Sequence, residues 1–211
     1  MKPFVYALSA GVVALSGAAI ASEKSYSETG FTRIAAAAGV DVVIEVGDDF
    51  AIVAETEEGD FDHLVVQLSG DTLKVKVDRK KRRRWKREHE FVVRISLPSL
   101  VGLDVSSGAD VVAKGIDSDM FELEVSSGAD ADVSGRCGEA EIDVSSGADA
   151  HARGLECRIV RAEASSGSDA IVFASEEVEA DASSGGDVTV YGGPRIVDID
   201  TSSGGDVSIR N

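Results

Sequence analysis

Three sets of residues in this sequence have types and spacings that could do chemistry, and the first is a basic run. Residues 79–87 hold eight of the 21 basic residues of the chain and its one tryptophan. Such a run can bind anionic lipid head groups, acidic polysaccharide or phosphate, or the acidic wall of another copy, but basic runs are more often solvated loops. The candidate contact residues are Arg79, Lys80, Lys81, Arg82, Arg83, Arg84, Trp85, Lys86 and Arg87.

The second set is six aspartates, each of which ends a recurring pentapeptide, Ser-Ser-Gly-x-Asp. If the copies are stacked, the carboxylates form an outward column in which neighbours repel by roughly 0.9 kcal/mol in water. Calcium could relieve this repulsion, but calcium-binding β-solenoid repeats have nine residues, so we expect no cofactor and backbone N–H donors at each carboxylate instead. The weak metal candidates are Asp110, Asp130, Asp149, Asp169, Asp187 and Asp206.

The third set is the two cysteines of the chain, Cys137 and Cys157. Each lies eight residues before a copy of the pentapeptide, so they occupy the same position on adjacent repeats. Stacked positions in a sheet are about 4.8 Å apart, which a disulfide accepts. We therefore predict a Cys137–Cys157 bond, with two free thiols as the alternative.

The elements that must position these residues follow from the repeat. The pentapeptide begins at residues 106, 126, 145, 165, 183 and 202, a period of 18 to 20 residues. This period is typical of one coil of a β-solenoid, and apolar residues alternate with polar ones on both sides of each copy. The alternation places the second Ser of each copy inward, where a buried hydroxyl ladder would have to be continuous, and the Gly at a corner.

The segment before the repeats also has strand patterns. Apolar residues alternate around the turns 47–49 and 69–71, which indicates hairpin-like strands. These strands would cover the first edge of the solenoid, whereas nothing obvious covers the last coil. We predict an all-β chain with three parts: a signal peptide over residues 1–21, an N-terminal β-strand segment over 22–100 that carries the basic loop, and a repeat β-helix of about six coils over 101–211.

The first 21 residues predict export. Lys2 precedes an apolar stretch that ends in Ala19-Ile20-Ala21, which is typical of a cleaved secretory signal, with an uncleaved membrane anchor as the alternative. No other segment is apolar enough to span a membrane. The formal net charge of −17 opposes binding to nucleic acid. We expect a periplasmic, cell-surface or secreted protein.

Signals for catalysis are weak. The three histidines are far apart in the sequence, and no nucleophile elbow, P-loop or dinucleotide fingerprint is present. Carboxylates that recur at one position of a repeat serve the architecture, whereas an active site would break the repeat. We therefore expect that the protein is not an enzyme.

The chain resembles a known family over about residues 31–209. The resemblance rests on Phe31-Thr32-Arg33-Ile34, Gly39-Val40-Asp41-Val42, the turn 70–75, Leu97-Pro98-Ser99-Leu100 and the Ser-Ser-Gly-x-Asp coils. These are similar to the head GIN domain family, exported bacterial proteins labelled putative auto-transporter adhesins. The resemblance implies a single-stranded right-handed parallel β-helix in the cell envelope, and it supplies no catalytic residues.

Together these observations predict an adhesin-like binding or scaffold protein. Its partner would be envelope polysaccharide, another anionic surface or another protein, and its open C-terminal coil could join it to a second copy. The alternative functions are a carbohydrate-active enzyme and a calcium-stabilised polysaccharide-binding protein on the same scaffold.

Overall fold

The computed structural model describes residues 22–57, 59–78 and 90–210. Within these ranges the chain forms fifteen strands and no helix, which confirms the all-β prediction. The strands are β1 (Ser22–Tyr26), β2 (Arg33–Ala37), β3 (Asp41–Val46), β4 (Ala51–Thr56), β5 (Leu64–Ser69), β6 (Thr72–Val77), β7 (Val92–Leu97), β8 (Gly102–Ser106), β9 (Asp110–Ser126), β10 (Asp130–Ser145), β11 (Asp149–Ser165), β12 (Asp169–Ser183), β13 (Asp187–Tyr191), β14 (Ile196–Thr201) and β15 (Asp206–Ile209).

The repeats stack as a parallel β-solenoid. Each of β9 to β12 begins at the Asp of one pentapeptide and ends at the first Ser of the next. Equivalent residues are paired in register, so that Asp130 lies between Asp110 and Asp149. The six motif turns lie one above another and enclose about five full turns of the solenoid. The predicted stacking is confirmed.

The corner of each coil is a turn with two successive residues in the left-handed region. The second Ser of every motif has a φ between 51° and 60°, and the following Gly has a φ between 65° and 83°. All six of these serines are exposed. The predicted inward Ser ladder is therefore wrong, because the left-handed backbone at the second Ser turns its side chain out of the coil. The alternation of inward and outward side chains resumes at the residue after the Gly, such as Ala109, which is fully buried.

Backbone hydrogen bonds continue from coil to coil through this corner. In the third motif the N–H of Ser146 donates to the carbonyl of Ser165 at 3.3 Å, toward the next coil. The N–H of Asp149 donates to the carbonyl of Ala129 at 3.0 Å, toward the previous coil. The corner is thus held by its neighbours on both sides, and these bonds offset the backbone strain of a non-glycine residue at positive φ.

The parallel stack extends further toward the N terminus than the repeated motif does. Strands β2 and β3 pair in parallel with β8 and β9, with Ala37 beside Ser106 and Asp41 beside Asp110. Between β2 and β3 the chain turns at Ala38 (φ 67°) and Gly39 (φ 75°), the same conformation as a Ser-Gly corner. Residues 37–41 are therefore a degenerate copy of the pentapeptide. Strands β6 and β7 lie under this coil, also in parallel.

Antiparallel strands extend the sheet beyond this first level. Strands β5 and β6 form the predicted hairpin, β4 pairs with β7, and β1 pairs with β4. The strands on either side of the turn 47–49 are not a paired hairpin, because β7 lies between β3 and β4. Strand β3 already uses both edges for parallel partners, β7 and β9, so only the outer edge of β7 is left for β4.

One continuous core runs through the whole stack of coils and N-terminal strands, which we call the tower. Its inner columns in the motif coils are mostly Ala and Val, so the walls approach closely. Aromatic side chains fill the wider N-terminal end, where the ring centroids of Phe31 and Phe50 are 5.0 Å apart and those of Phe61 and Phe91 are 6.3 Å apart. The buried hydroxyl of Ser168 donates to the carbonyl of Val144 at 2.8 Å.

Cys137 and Cys157 form the predicted disulfide, with a Cα–Cα distance of 4.5 Å. They are paired across β10 and β11, and both side chains are buried. The bond therefore fastens two adjacent coils midway between successive motif corners. We call the side of the coils around Cys137 and Cys157 the disulfide face.

We expect that removing this cross-link lowers the free energy of unfolding. A disulfide between residues 20 positions apart lowers the conformational entropy of the unfolded chain. This raises the free energy of unfolding by about 3 kcal/mol. Urea unfolding of Cys137→Ala/Cys157→Ala should show this loss, and reductant should lower the wild-type midpoint without moving that of the variant. Equal midpoints for the oxidised wild type and the variant would contradict the expectation.

We expect that a side chain at the corner glycine is unfavourable for backbone reasons alone. Nothing lies within 4 Å of a Cβ built on Gly147, but its φ is +67°. Gly147→Ala should therefore lower the free energy of unfolding by about 1 kcal/mol. The matched control is Ser146→Gly, which relieves the same strain one residue earlier and should be at least as stable as the wild type in urea titrations. A destabilised control with an unaffected Gly147→Ala would refute this account of the corner.

Candidate functional site

The stacked corners place seven aspartates in one outward column, which we call the turn column: Asp41, Asp110, Asp130, Asp149, Asp169, Asp187 and Asp206. Burial first, and then the charges of Asp110 and Asp149, raise the pKa of Asp130, while His151 partly opposes this. Burial and the charges of Asp149 and Asp187 likewise raise the pKa of Asp169. The column therefore concentrates negative charge along one edge of the tower.

Among the described residues, the backbone hydrogen bonds expected at these carboxylates are not found. In the part of the chain that the structure describes, no backbone N–H donates to a side chain of the turn column. Over the same residues no three His, Cys, Asp or Glu side chains lie close enough together to hold a metal ion. Parallel stacking supplies one carboxylate per level in a straight line, which does not make the ligands converge. The expectation that this column holds no calcium cofactor stays a prediction.

A second acidic surface lies on the strands that precede the motifs, and we call it the acidic face. Charged residues there form two parallel columns on the outer surface. In the column that contains Asp143 and Glu163, the charge of Asp143, followed by burial, raises the pKa of Glu163. Burial, followed by the charges of Glu124 and Glu122, raises the pKa of Asp143. The two columns comprise Asp104, Glu124, Asp143, Glu163, Asp181 and Asp200, and Glu122, Glu141, Arg161, Glu179 and Asp198.

Two arginines interrupt the acidic face. Arg161 is ion-paired with Glu139 and, at 3.2 Å, with Glu179, so it neutralises charge on the coils above and below its own. Arg33 is paired with Glu122 at 2.6 Å and lies over Gly102. A Cβ at Gly102 would come within 2.7 Å of the Arg33 guanidinium Nη2, so the glycine makes room for this pair. Nothing in the repeat pattern marked either arginine.

A hollow of about 550 Å³ opens between the acidic face and the disulfide face. Its lining includes Arg33, Asp117, Asp119, Met120 and Glu122. Asp117 and Asp119 do not recur, because the next coil has Arg136 and Gly138 at the paired positions or beside them. Asp117 is itself ion-paired with Arg136 at 3.1 Å. The hollow is thus a place where the repeat is broken, which sequence reasoning did not find.

The basic run 79–87 lies outside the described residues, but the strands that it joins are described. It connects β6 to β7, the level directly below the degenerate coil. Lys76 at the end of β6 pairs with Ala37, and Val92 at the start of β7 pairs with Asp41. Both strands therefore meet this connection at the edge of the tower that carries the turn column. The predicted signal peptide also lies outside the described residues.

The degenerate corner 37–41 was missed at the sequence level. Its signal was present in Ala37-Ala38-Gly39-Val40-Asp41, which keeps the small-small-Gly-apolar-Asp pattern and replaces only the two serines. A search for the conformation that the corner requires, rather than for the Ser-Ser letters, would have found it.

Comparison with known proteins gives the following matches. Residues 30–194 match a family model described as "Putative auto-transporter adhesin, head GIN domain". No curated protein matches the chain. No helix in the described part of the chain has the length and apolar character needed to cross a membrane.

Several solved structures share the fold. A putative adhesin from Bacteroides fragilis is 17% identical with a TM-score of 0.71, and the match covers 92% of this chain and 98% of that one. A putative adhesin from Parabacteroides merdae is 16% identical with a TM-score of 0.52, covering 90% and 96%. A putative lipid binding protein from Parabacteroides distasonis is 13% identical with a TM-score of 0.51, covering 90% and 97%. At these identities the likeness concerns the fold.

We expect the crowded carboxylates to make stability rise as the pH falls. Because the pKa of Glu163 is raised above its ordinary value of 4.5, the folded chain binds this proton more tightly than the unfolded chain does. Its ionised form therefore destabilises the fold at neutral pH, and this penalty is relieved as the pH falls toward 4.5. Glu163→Gln should raise the free energy of unfolding at pH 7 by a few tenths of a kcal/mol and weaken its pH dependence, as measured by urea titration at pH 7 and pH 5.

The matched control for this prediction is Glu156→Gln. Glu156 is an exposed carboxylate that pairs in register with Arg136 rather than with another acid. Its substitution should not stabilise the protein at pH 7. A Glu163→Gln variant that is less stable than the wild type at pH 7 would show that repulsion in the acidic face is not a significant cost.

Proposed function

This chain belongs to the family described as "Putative auto-transporter adhesin, head GIN domain", and on that premise we propose that it is an exported, non-enzymatic protein of the cell envelope that binds or scaffolds at a surface. The resemblance seen in the sequence is thereby confirmed at the level of the family and the fold. The ligand, the compartment and the contact residues are our proposal.

The observation that carries the proposal is the segregation of charge on a regular tower. The turn column and the acidic face carry carboxylates on coil after coil. Eight of the 21 basic residues are instead gathered in the one run 79–87. Electrostatic attraction and repulsion fall off over about 8 Å at physiological ionic strength, so the two regions act on a partner separately. An anionic surface would be attracted by the run and repelled by the rest of the tower.

The place of the run supports such a contact. It joins β6 and β7, and the ends of these two strands that it connects lie at the N-terminal end of the tower, beside the turn column. We propose that this end faces the anionic surface and that the acidic tower projects away from it. A rigid stack of coils held by backbone hydrogen bonds is suited to this geometry because its charged columns keep their spacing.

The proposed ligand is an anionic envelope surface, either lipid head groups or acidic polysaccharide. Both present closely spaced negative charge, which Arg and Lys bind without needing a shaped pocket, and Trp85 could insert at a lipid interface. One protein of the same fold is named as a putative lipid binding protein, and that name makes lipid vesicles a reasonable first probe.

We expect that Arg82→Gln/Arg83→Gln weakens binding to vesicles of phosphatidylcholine mixed with phosphatidylglycerol. Each basic residue near an anionic membrane contributes about 1 kcal/mol, so the double variant should bind roughly 30-fold more weakly. Co-sedimentation with these vesicles, and with vesicles of phosphatidylcholine alone, measures the difference. A parallel pull-down with acidic polysaccharide separates the two sources of negative charge.

The matched control is Arg136→Gln/Arg158→Gln, which makes the same change in net charge on exposed arginines of the disulfide face. It should bind like the wild type. If both double variants bind as the wild type does, or if the wild type binds neither vesicles nor polysaccharide, the basic run is not the contact and this part of the proposal fails.

The second candidate is a carbohydrate-active enzyme, and the hollow beside Asp119 is the observation that favours it. Asp117, Asp119 and Glu122 are carboxylates at a break in the repeat, and glycoside hydrolysis uses a pair of carboxylates. Two of the three are already engaged in ion pairs, Asp117 with Arg136 and Glu122 with Arg33, which leaves Asp119 as the carboxylate to test. Release of product from acidic or neutral polysaccharides by the wild type, and its loss in Asp119→Asn, would replace our proposal with this one.

A further inference from the structure

The C-terminal end of the tower carries apolar side chains that nothing covers in the described structure. In the last coil Ile196, Val197, Ile199 and Ile209 are 59%, 42%, 43% and 42% exposed. Val197, Ile199 and Ile209 continue inner columns of the core, and Ile199 stacks on the smaller Ala180. Ile196 instead pairs with Glu177, on the outer face of the coil. Stable solenoids cover such an end with a polar cap, so an uncovered apolar coil calls for a partner.

Strand β15 ends the sheet on one face of this coil. It pairs in parallel with β13 through one edge. The N–H groups of Asp206 and Arg210 donate to β13 and the residues beside it, to the carbonyls of Gly186 at 3.2 Å and Val190 at 2.8 Å. Because N–H groups alternate in direction along a strand, those of Val207 and Ile209 point away from β13, toward the open edge.

The residues of β15 are complementary to a second copy of the same strand. In an antiparallel pair centred on Ser208, Val207 lies opposite Ile209 of the second copy. This is a hydrogen-bonded pair, so the two outward amides of each copy find acceptors. On the other face of the strand, Asp206 lies opposite Arg210 of the second copy, and both contacts occur twice because of the two-fold axis.

Other registers lose this match. A shift of the centre to Val207 places Asp206 opposite Ser208 and removes both ion pairs. Self-pairing of β14 that keeps its apolar residues on one face sets Asp198 against Asp198 or Asp200 of the second copy, which is repulsive. The charge pattern therefore selects β15 and the register centred on Ser208.

We infer that two copies of this chain associate tail to tail through β15, forming a closed dimer with a continuous sheet across the two-fold axis. The contact is isologous, so it ends at two copies rather than growing into a fibre. The opposite end does not offer the same exposed apolar edge. The antiparallel strands β1 and β5 end the sheet there, and among the described residues no large apolar side chain of either strand is exposed. The partner is thus a second copy of the chain, and the tower is doubled in length.

Charge reversal tests the dimer and its register. Sedimentation velocity of the protein over a range of concentrations should show a monomer–dimer equilibrium for the wild type. Asp206→Lys and Arg210→Glu should each raise the dimer dissociation constant by about tenfold, since each turns two attractive contacts into two repulsive ones. The double variant Asp206→Lys/Arg210→Glu should restore wild-type association. Asp206→Lys also removes repulsion from Asp187 in the turn column, so it should not unfold the monomer.

The matched control is Asp198→Lys, which reverses a charge on β14 at the same end of the tower and should leave dimerisation unchanged. Ile209→Pro tests the backbone contact separately, since proline removes an outward N–H without removing a hydrogen bond to β13, and it should abolish the dimer. A wild type that is monomeric at every concentration overturns the inference. So does a dimer that both single charge reversals leave intact, or that the double variant fails to restore.

Discussion

In-register parallel stacking of coils is the constraint on which the rest of this structure depends. Once each coil lies about 4.8 Å above the last, every residue type that recurs in the sequence becomes a column in space. The inner Ala and Val columns make the core, and the paired positions of Cys137 and Cys157 allow the disulfide. The corner makes this stacking possible, because two successive left-handed residues turn the chain while their N–H groups still reach the neighbouring coils.

The same constraint creates the electrostatic problem of the molecule. A column cannot alternate in sign unless the sequence alternates from coil to coil, and here nearly every position of the turn column and the acidic face is acidic. The raised pKa values of Asp130, Asp169 and Glu163 follow from this arrangement together with partial burial. Arg161 relieves it by pairing with coils on both sides. The described coils therefore keep a strongly negative wall, whereas eight of the 21 basic residues lie together in the run 79–87 of the sequence. That division makes the proposed surface-binding role physically reasonable.

The two ends of the tower differ in how they stop the sheet. At the N-terminal end antiparallel strands follow the last parallel level, and aromatic rings fill the core there. At the C-terminal end the parallel pattern simply stops, leaving β15 with an unpaired edge in the described structure and apolar side chains exposed. The proposed contact uses the segment that joins β6 to β7, and the proposed self-association uses β15 at the opposite end of the sheet. The two would therefore not compete for the same surface.

The sequence by itself determined the architecture wherever one pattern repeats. The period, the inward Ala and Val positions and the Cys137–Cys157 bond all follow from the spacing of the pentapeptide, because stacking converts equal spacing into contact. Three features were decided only by the tertiary structure. The second Ser points outward because the corner's left-handed backbone interrupts the alternation, which a period-two reading carries straight through. Strand β7 separates β3 from β4, and Arg33 meets Glu122 across 89 residues, because edges and gaps are filled by whichever segment the stack brings there. Such pairings depend on which of several distant segments pairs most favourably, and the local spacing of residues does not reveal that outcome.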